Sequence, residues 1–530
     1  MELRSPLLLL CFAALPVAVA ACWIVFLLGH GQEHSKGRRL PPGPAAVVFL
    51  AKFLALRRSI FDLGPLLREL HARHGPIISV RLFRTLVFVA DRHLAHRVLV
   101  QGGATFADRP RLAEPGLLFT AGARDISTSP YGPYWRLVRR NLAAEALHPA
   151  RVSLLAPARR RARDALLEAL FSCGGESGVV EVRPLFRRAL FELLVYMSLG
   201  ACSFRVDVDR EETIDEMQGL QQQILRSITD FPVFAFFPAI TKRLFRRRWE
   251  AYVAVRQRQD EIFLPMIDAR RRICEHDDDP GGPPCYADSV LKLRVAEEGD
   301  RPLTDSEVVS LCSEFINGGT DLTATALEWI MAELVNHPDV QSKLYHELTL
   351  NSNSNSKASS SSAAGGGGDL NDLEEEAMPY LKAVVMEGLR LHPPSHFLLP
   401  HGVLTHDAEI GGYAVPKGAE VNFLLAGFGR DDTAWTAPME FRPDRFLDGC
   451  DVDITGSREI KMMPFGAGRR MCPGYALGLL HLQFLVASLV KELEWLPPAE
   501  GAVDMTEMLD FTTVMKHPLR ARIRPRTNST

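Results

Sequence analysis

None of the nine cysteines stands in a Cys-x-x-Cys pair, and their number is odd. Cys11, Cys22, Cys173, Cys202, Cys274, Cys285, Cys312, Cys450 and Cys472 therefore form neither a disulfide framework nor a zinc site. A reducing compartment suits the main body. A dominant charge is missing too. The 61 basic and 64 acidic side chains leave a net charge of −3, which implies no bulk nucleic-acid partner. The chain also lacks a dinucleotide-binding fingerprint of its own. What it has is length and apolar content: 530 residues, 47% hydrophobic, enough for a large core.

The organising stretch is Pro464-Phe465-Gly466-Ala467-Gly468-Arg469-Arg470-Met471-Cys472-Pro473-Gly474. Gly466 and Gly468 permit tight positive-φ turns. Pro473 suits a first helical turn, and an apolar run from Tyr475 to Leu480 follows. The pattern predicts a compact loop presenting Cys472 at a helix N-terminus. The helix dipole, Arg469 and Arg470 are then expected to lower the thiol pKa. Such a thiolate is a nucleophile or a soft metal ligand. A lone cysteine in a turn is more often simply buried and inert.

Phe465, Gly468, Arg470, Cys472 and Gly474 together resemble the haem-binding loop of the cytochrome P-450 superfamily. The resemblance implies Cys472 as axial iron ligand, Phe465 beside the sulfur and Arg470 on a haem propionate. Thiolate ligation of this class pushes electron density toward O–O cleavage. Further motifs resemble the family in the same order. Trp135 and Arg139 share a helix face and look like its Trp-x-x-x-Arg propionate pair. The run 315–325 contains Gly318, Gly319, Asp321 and Thr323, which match the distal helix that delivers protons to dioxygen. Leu322 departs from that pattern, since the family usually has Thr there. Glu387 and Arg390, with Arg445 downstream, resemble the buried ion network behind the haem loop. His396 is a further propionate candidate by resemblance.

Residues 1–29 read as a membrane anchor. Leu7 to Leu28 is almost wholly apolar; as a helix it extends about 33 Å, against a bilayer core of about 30 Å. Lys36, Arg38 and Arg39 follow it, placing that side in the cytoplasm. The rival is a cleaved signal peptide ending near Ala20, opposed by the apolar run that continues to Leu28. Residues 30–44 form a basic, proline-rich hinge resembling that of microsomal family members, and 45–530 form the catalytic domain. Within it, 351–368 is low-complexity and predicted to be a disordered loop.

Helices are predicted over Phe61–Arg73, Leu154–Leu170, Leu185–Leu199 and Met378–Leu391. The longest covers Thr304–His337, opened by a Thr304–Glu307 capping box. Short strands are predicted at 77–82 and 86–89, and a hairpin around Pro416-Lys417-Gly418. The aromatic run Phe231–Pro238, followed by Lys242, Arg243 and Arg246–Arg248, suits membrane contact.

By resemblance, the fold is mainly α with a small β portion, preceded by a transmembrane helix and close to the plant microsomal branch. The implied reaction is monooxygenation with haem b, in the endoplasmic reticulum membrane with a single span and the catalytic domain on the cytoplasmic side. Asp321 and Thr323 would relay protons. Trp135, Arg139 and Arg470 would hold propionates, and NADPH would act only through a partner reductase. Phe119, Phe397, Leu398 and Val514 are substrate-pocket candidates, implying a lipophilic small molecule. Two rivals share the residues: a haem-thiolate isomerase or dehydratase acting on a hydroperoxide without a reductase, and a non-catalytic haem-binding membrane protein.

Overall fold

The computed structural model describes residues 39–46, 48–49, 51–52, 63–82, 84–174, 178–200, 210–235, 237–276, 282–358, 378–403, 405–447 and 452–526. The proposed anchor lies outside them. No helix among the described residues is long and apolar enough to cross a membrane.

Ten helices carry the architecture: α1 Gly64–His74, α2 Pro133–Asn141, α3 Ala156–Gly174, α4 Arg183–Leu199, α5 Arg210–Thr229, α6 Arg246–His276, α7 Asp305–Asn336, α8 Pro338–Ala358, α9 Pro379–Leu391 and α10 Tyr475–Glu492. The larger strands are β1 Ile77–Arg81, β2 Thr85–Val89, β3 Val179–Glu181, β4 His401–Gly402, β5 Ala408–Ile410, β6 Tyr413–Val415, β7 Glu420–Phe423, β8 Leu493–Leu496, β9 Glu507–Leu509, β10 Thr513–Met515 and β11 Arg520–Pro525. A four-stranded sheet runs β1-β2-β7-β4, with β2 and β7 parallel and Leu86 opposite Glu420. A second sheet runs β8-β11-β3.

The axis of the molecule is α7. Thr304 caps it, and the Glu307 carboxylate accepts from the Thr304 N–H at 2.7 Å, closing the capping box. Its C-terminal half joins α9, α10, Trp495 and Leu519 in one apolar core. Its N-terminal half joins α4, α6 and Tyr286 in another. Gly319 lets α4 approach, because a Cβ there would stand 2.6 Å from Leu194 Cδ1. The cost of a mid-helix glycine is thus offset by close helix packing.

Two expectations need correction. The low-complexity segment is helical at its start, since α8 extends through Ala358, and 359–377 lie outside the described residues. The hairpin turns at Gly411-Gly412, not at Pro416-Lys417-Gly418: both glycines have positive φ and β5 pairs with β6. The segment from Glu420 onward instead joins β2 as β7. The proline hinge is docked on the body as well. Ser79 N–H donates to Pro42 O at 2.9 Å and Ser79 Oγ to Pro41 O at 2.6 Å.

Candidate active site

The loop before α10 is fixed by its backbone. Gly466 and Gly468 have φ of +70° and +71°, and a Cβ on Gly468 would meet Leu99 O at 1.9 Å. No other residue fits there. The Cys472 N–H donates to Phe465 O at 2.8 Å, closing the loop, and the Phe465 ring stands edge-on to Tyr475 at 6.3 Å. Gly474 is the N-cap of α10, so Cys472 and Pro473 precede the helix rather than open it.

The expected thiol shift is corrected. Burial pushes the Cys472 thiol up, opposed by a hydrogen bond from the Gly474 N–H and by the charge of Arg139. Arg469 and Arg470 face elsewhere. Arg469 donates to the Tyr131 hydroxyl at 2.6 Å, and Arg470 donates to Ala107 O at 2.6 Å, Ile126 O at 3.2 Å and Ser129 O at 2.7 Å.

Trp135 and Arg139 lie on α2 above this loop. Trp135 Nε1 donates to Ile126 O at 3.1 Å, Arg470 stacks over the Trp135 ring at 4.4 Å, and Arg139 donates to Met471 O. The structure adds two residues that sequence reasoning missed, Arg109 and His401. An isolated bridge between Asp108 and Gly402 brings their segments together. Arg109 donates to Ser127 O at 2.7 Å and to Leu399 O and Pro400 O at 2.9 Å. The buried His401 ring bonds Phe106 O at 2.6 Å. Burial and the neighbouring Arg109 charge drive its pKa down to about 3. Neither residue carries a helical spacing, so only tertiary pairing reveals them.

His396 lies apart from this cluster, which corrects its candidacy for a propionate. Its Nε2 is 3.2 Å from Glu507, which also pairs with Arg430. With Phe397 bridged to Leu424, the chain carries His401 rather than His396 to the arginines.

Among the described residues the three cations make no ion pair, and the charges of Asp108, Asp125 and Glu314 support them only from a distance. Burial and then mutual repulsion lower Arg109 to about 9, and burial lowers Arg470 to about 10. Arg139 is lowered by burial as well. The nearby carboxyls are poor partners. Burial raises Asp125, while burial and the Asp125 charge raise Glu314 to about 8. Glu314 instead accepts the N–H groups of Ile126 at 2.8 Å and Ser127 at 2.7 Å. A site with this excess of buried guanidinium suits a ligand bearing carboxylates.

Behind the loop, Glu387 and Arg390 are 0% and 1% exposed. Arg390 reaches Glu387 at 2.6 and 2.8 Å, Arg445 Nε reaches it at 3.0 Å, and the Arg442 N–H at 2.8 Å. The remaining Arg390 donors go to carbonyls of Gly429, Pro438 and Glu440. This is a fully hydrogen-bonded ionic unit, not a surface bridge.

On α7, Gly318 is exposed with nothing within 4 Å of a built Cβ, and partly exposed Leu322 lies one turn on along the same face. Asp321 points away, its carboxylate 2.7 Å from Arg187 of α4. Burial raises its pKa and Arg187 opposes this. Thr323 is buried, and the Thr320 hydroxyl is already spent on Ile316 O at 2.7 Å. Of the pocket candidates, Phe119 packs edge-on to Tyr252, while Leu398 lies against the Gly466 turn. Phe397 packs beside Leu424. Val514 is buried in β10, which is anchored to α7 where Trp329 Nε1 donates to Thr513 O at 2.7 Å.

The family model described as Cytochrome P450 matches residues 41–524. The chain belongs to the cytochrome P450 family. It is 40% identical over 503 residues to cytochrome P450 89A9 of Arabidopsis thaliana, covering 92% of this chain and 94% of that one. It is 27% identical to the flavonoid 3'-monooxygenase of the same plant, covering 97% of each. A solved zebra fish cytochrome P450 with abiraterone superposes with a TM-score of 0.67 at 24% identity, over 87% of this chain and 99% of that one, which shows the shared fold. The protein is thus a cytochrome P450 similar to plant members of the family, an oxygen-incorporating oxidoreductase using haem with a cysteine thiolate ligand. The residues described fit haem: a thiol in a rigid loop, and buried guanidiniums that bond backbone carbonyls and make no ion pair among the described residues.

Proposed function

We propose that this cytochrome P450 is a membrane-anchored monooxygenase. It inserts one atom of O2 into a C–H bond of a lipophilic small molecule and releases the other as water. Two electrons come from NADPH through a partner reductase, and two protons from solvent. The observation that carries this reading is Cys472, held in the Gly466–Gly468 loop beside three arginines that donate to backbone carbonyls and make no ion pair among the described residues.

Haem, when bound, supplies dioxygen reduction and oxygen transfer. The chain's own residues do the rest. Cys472 would supply the thiolate that holds the iron, with Phe465 beside it. Arg109, Arg139, Arg470, Trp135 and His401 would hold the propionates. Glu387, Arg390 and Arg445 keep the loop rigid from behind. Asp321 holds a proton at its carboxyl, with Arg187 setting how readily it is released. Thr323 is a second candidate for the relay. The substrate meets Phe119, Phe397, Leu398 and Val514.

The endoplasmic reticulum, with the catalytic domain cytoplasmic, suits residues 1–29 as anchor. Exposed Phe237, Ile240, Leu244 and Phe245, beside exposed Arg243, Arg246 and Arg247, support a second contact with lipid. Leu322 favours one alternative, isomerisation or dehydration of a hydroperoxide, because that reaction needs no proton delivery to dioxygen. Reconstitution separates the two. Product formation that requires both NADPH and reductase supports monooxygenation, whereas turnover of a hydroperoxide with neither supports the alternative. Haem binding with no turnover in either assay identifies a non-catalytic protein.

A further inference from the structure

A chain of buried polar side chains crosses the contact of α5, α6 and α7, and the mechanism does not use it. Arg256 donates to Gln259 Oε1 at 3.3 Å. Gln259 Nε2 donates to Ser313 Oγ at 2.9 Å, and Ser313 Oγ donates to Gln221 Oε1 at 3.0 Å. Asn317 Nδ2 donates to the same oxygen at 3.0 Å. Gln221 and Gln259 are 2% and 1% exposed.

The direction of this chain follows from its first member. A guanidinium has no acceptor, so Gln259 must turn its oxygen to Arg256 and its NH2 to Ser313. Ser313 then passes its single proton to Gln221, which must meet it with oxygen. The Gln221 NH2 is left facing the other way. It is buried and has no hydrogen-bond partner among the described residues. An unpaired buried donor calls for an explanation, and a ligand group is one. Asn317 is partly exposed and adjoins Gly318, where α7 faces open space. The charge of Arg256 is met by Asp260 at 2.9 Å, so the end of the chain offers hydrogen bonds without net charge.

We infer that Gln221 and Asn317 form a subsite for a neutral carbonyl oxygen, so that the substrate is a lipophilic ketone, lactam or carboxamide rather than a hydrocarbon or a carboxylate. This rests on the monooxygenase reading. Gln221 supplies the donor, Asn317 borders the opening, and the Arg256 relay fixes the orientation of both amides.

The test is equilibrium dialysis of the haem-loaded full chain against matched probes: fluorenone with fluorene, benzophenone with diphenylmethane, and 2-adamantanone with adamantane. Wild type should bind the ketones about tenfold more tightly than the hydrocarbons, the value of one good hydrogen bond. Gln221→Leu should bring each pair to within about twofold by removing that bond, and Asn317→Leu, which removes only a hydrogen bond to the Gln221 oxygen, should weaken the preference in part. Ketones that bind wild type no more tightly than hydrocarbons, or not at all, overturn the subsite. So does a preference that survives in Gln221→Leu. The red-shifted Soret band of the reduced carbon-monoxide complex is read on the same preparations. Its absence from wild type condemns the monooxygenase reading, whereas its presence without a ketone preference condemns the subsite alone.

Discussion

Around Cys472 the chain has almost no freedom, whereas around Gly318 it has an opening. The first region is built from backbone necessity: two positive-φ glycines, a Cβ position filled by Leu99 O, and a carboxylate with two arginines buried behind. The second is an ordinary capped helix that departs from the family at Leu322 and carries amides and hydroxyls where it meets α5 and α6. On the proposed reading, the contrast separates a rigid region that would retain the cofactor from an open one whose side chains would choose the substrate.

The most damaging way to break the comparison is on the rigid side. Glu387→Ala or Arg390→Ala leaves a buried charge unpaired, at about 3–5 kcal/mol. Both variants should lose haem during folding, read as the haem-to-protein ratio. Full loading in both would show that haem retention does not depend on the network.

On the open side the expected losses are in rate. Asp321→Asn keeps shape but cannot carry the proton, so turnover should fall about 100-fold with haem loading intact. A drop below about threefold would leave Asp321 merely a partner for Arg187, since general acid–base roles are worth far more.

These two regions were unequally legible in the sequence. The Cys472 loop, Trp135, Arg139 and the Glu387–Arg390 pair sit in short local patterns, and the capping box of α7 was readable from Thr304 and Glu307 alone. Arg109 and His401 were not, because they meet only through the Asp108–Gly402 bridge. His396 is a propionate candidate by resemblance alone, yet Glu507, more than a hundred residues away, claims it. The thiol shift failed for a related reason. Arg469 and Arg470 are neighbours in sequence, but their side chains leave the sulfur, and burial outweighs the rest. The relay from Arg256 to Gln221 joins three helices and has no sequence signature.

A subtler effect lies at the border of the two regions, where Glu314 ties α7 to Ile126 and Ser127. Its folded pKa of about 8 lies above the ordinary carboxylate value. Between pH ~4.5 and 8 the folded state therefore holds a proton that the unfolded state has lost, so stability falls as pH rises through that window. Thermal melts from pH 5 to 8 should show this slope in wild type and a shallower one in Glu314→Gln. Equal slopes would mean the carboxyl is ionised throughout.

The smallest change is expected at Leu322. Leu offers no hydroxyl, and Thr323 is turned about 100° around the helix. Ordered water or the substrate's own polar group is therefore left to assist proton delivery. Leu322→Thr should improve product formed per NADPH, within about twofold to threefold, on substrates lacking such a group, and do little on the true one. This is the scale of a single weak hydrogen bond. Identical coupling in both proteins on every substrate would remove Leu322 from the account.

The central claim is that the Cys472 thiolate holds the haem. It is tested by the absorption spectrum of the reduced, carbon-monoxide-bound protein. Wild type should show the red-shifted Soret band of thiolate ligation, Cys472→Ala should lack it, and Cys472→His should keep haem without it. A normal thiolate band in Cys472→Ala would contradict the account, because another residue would then be the ligand.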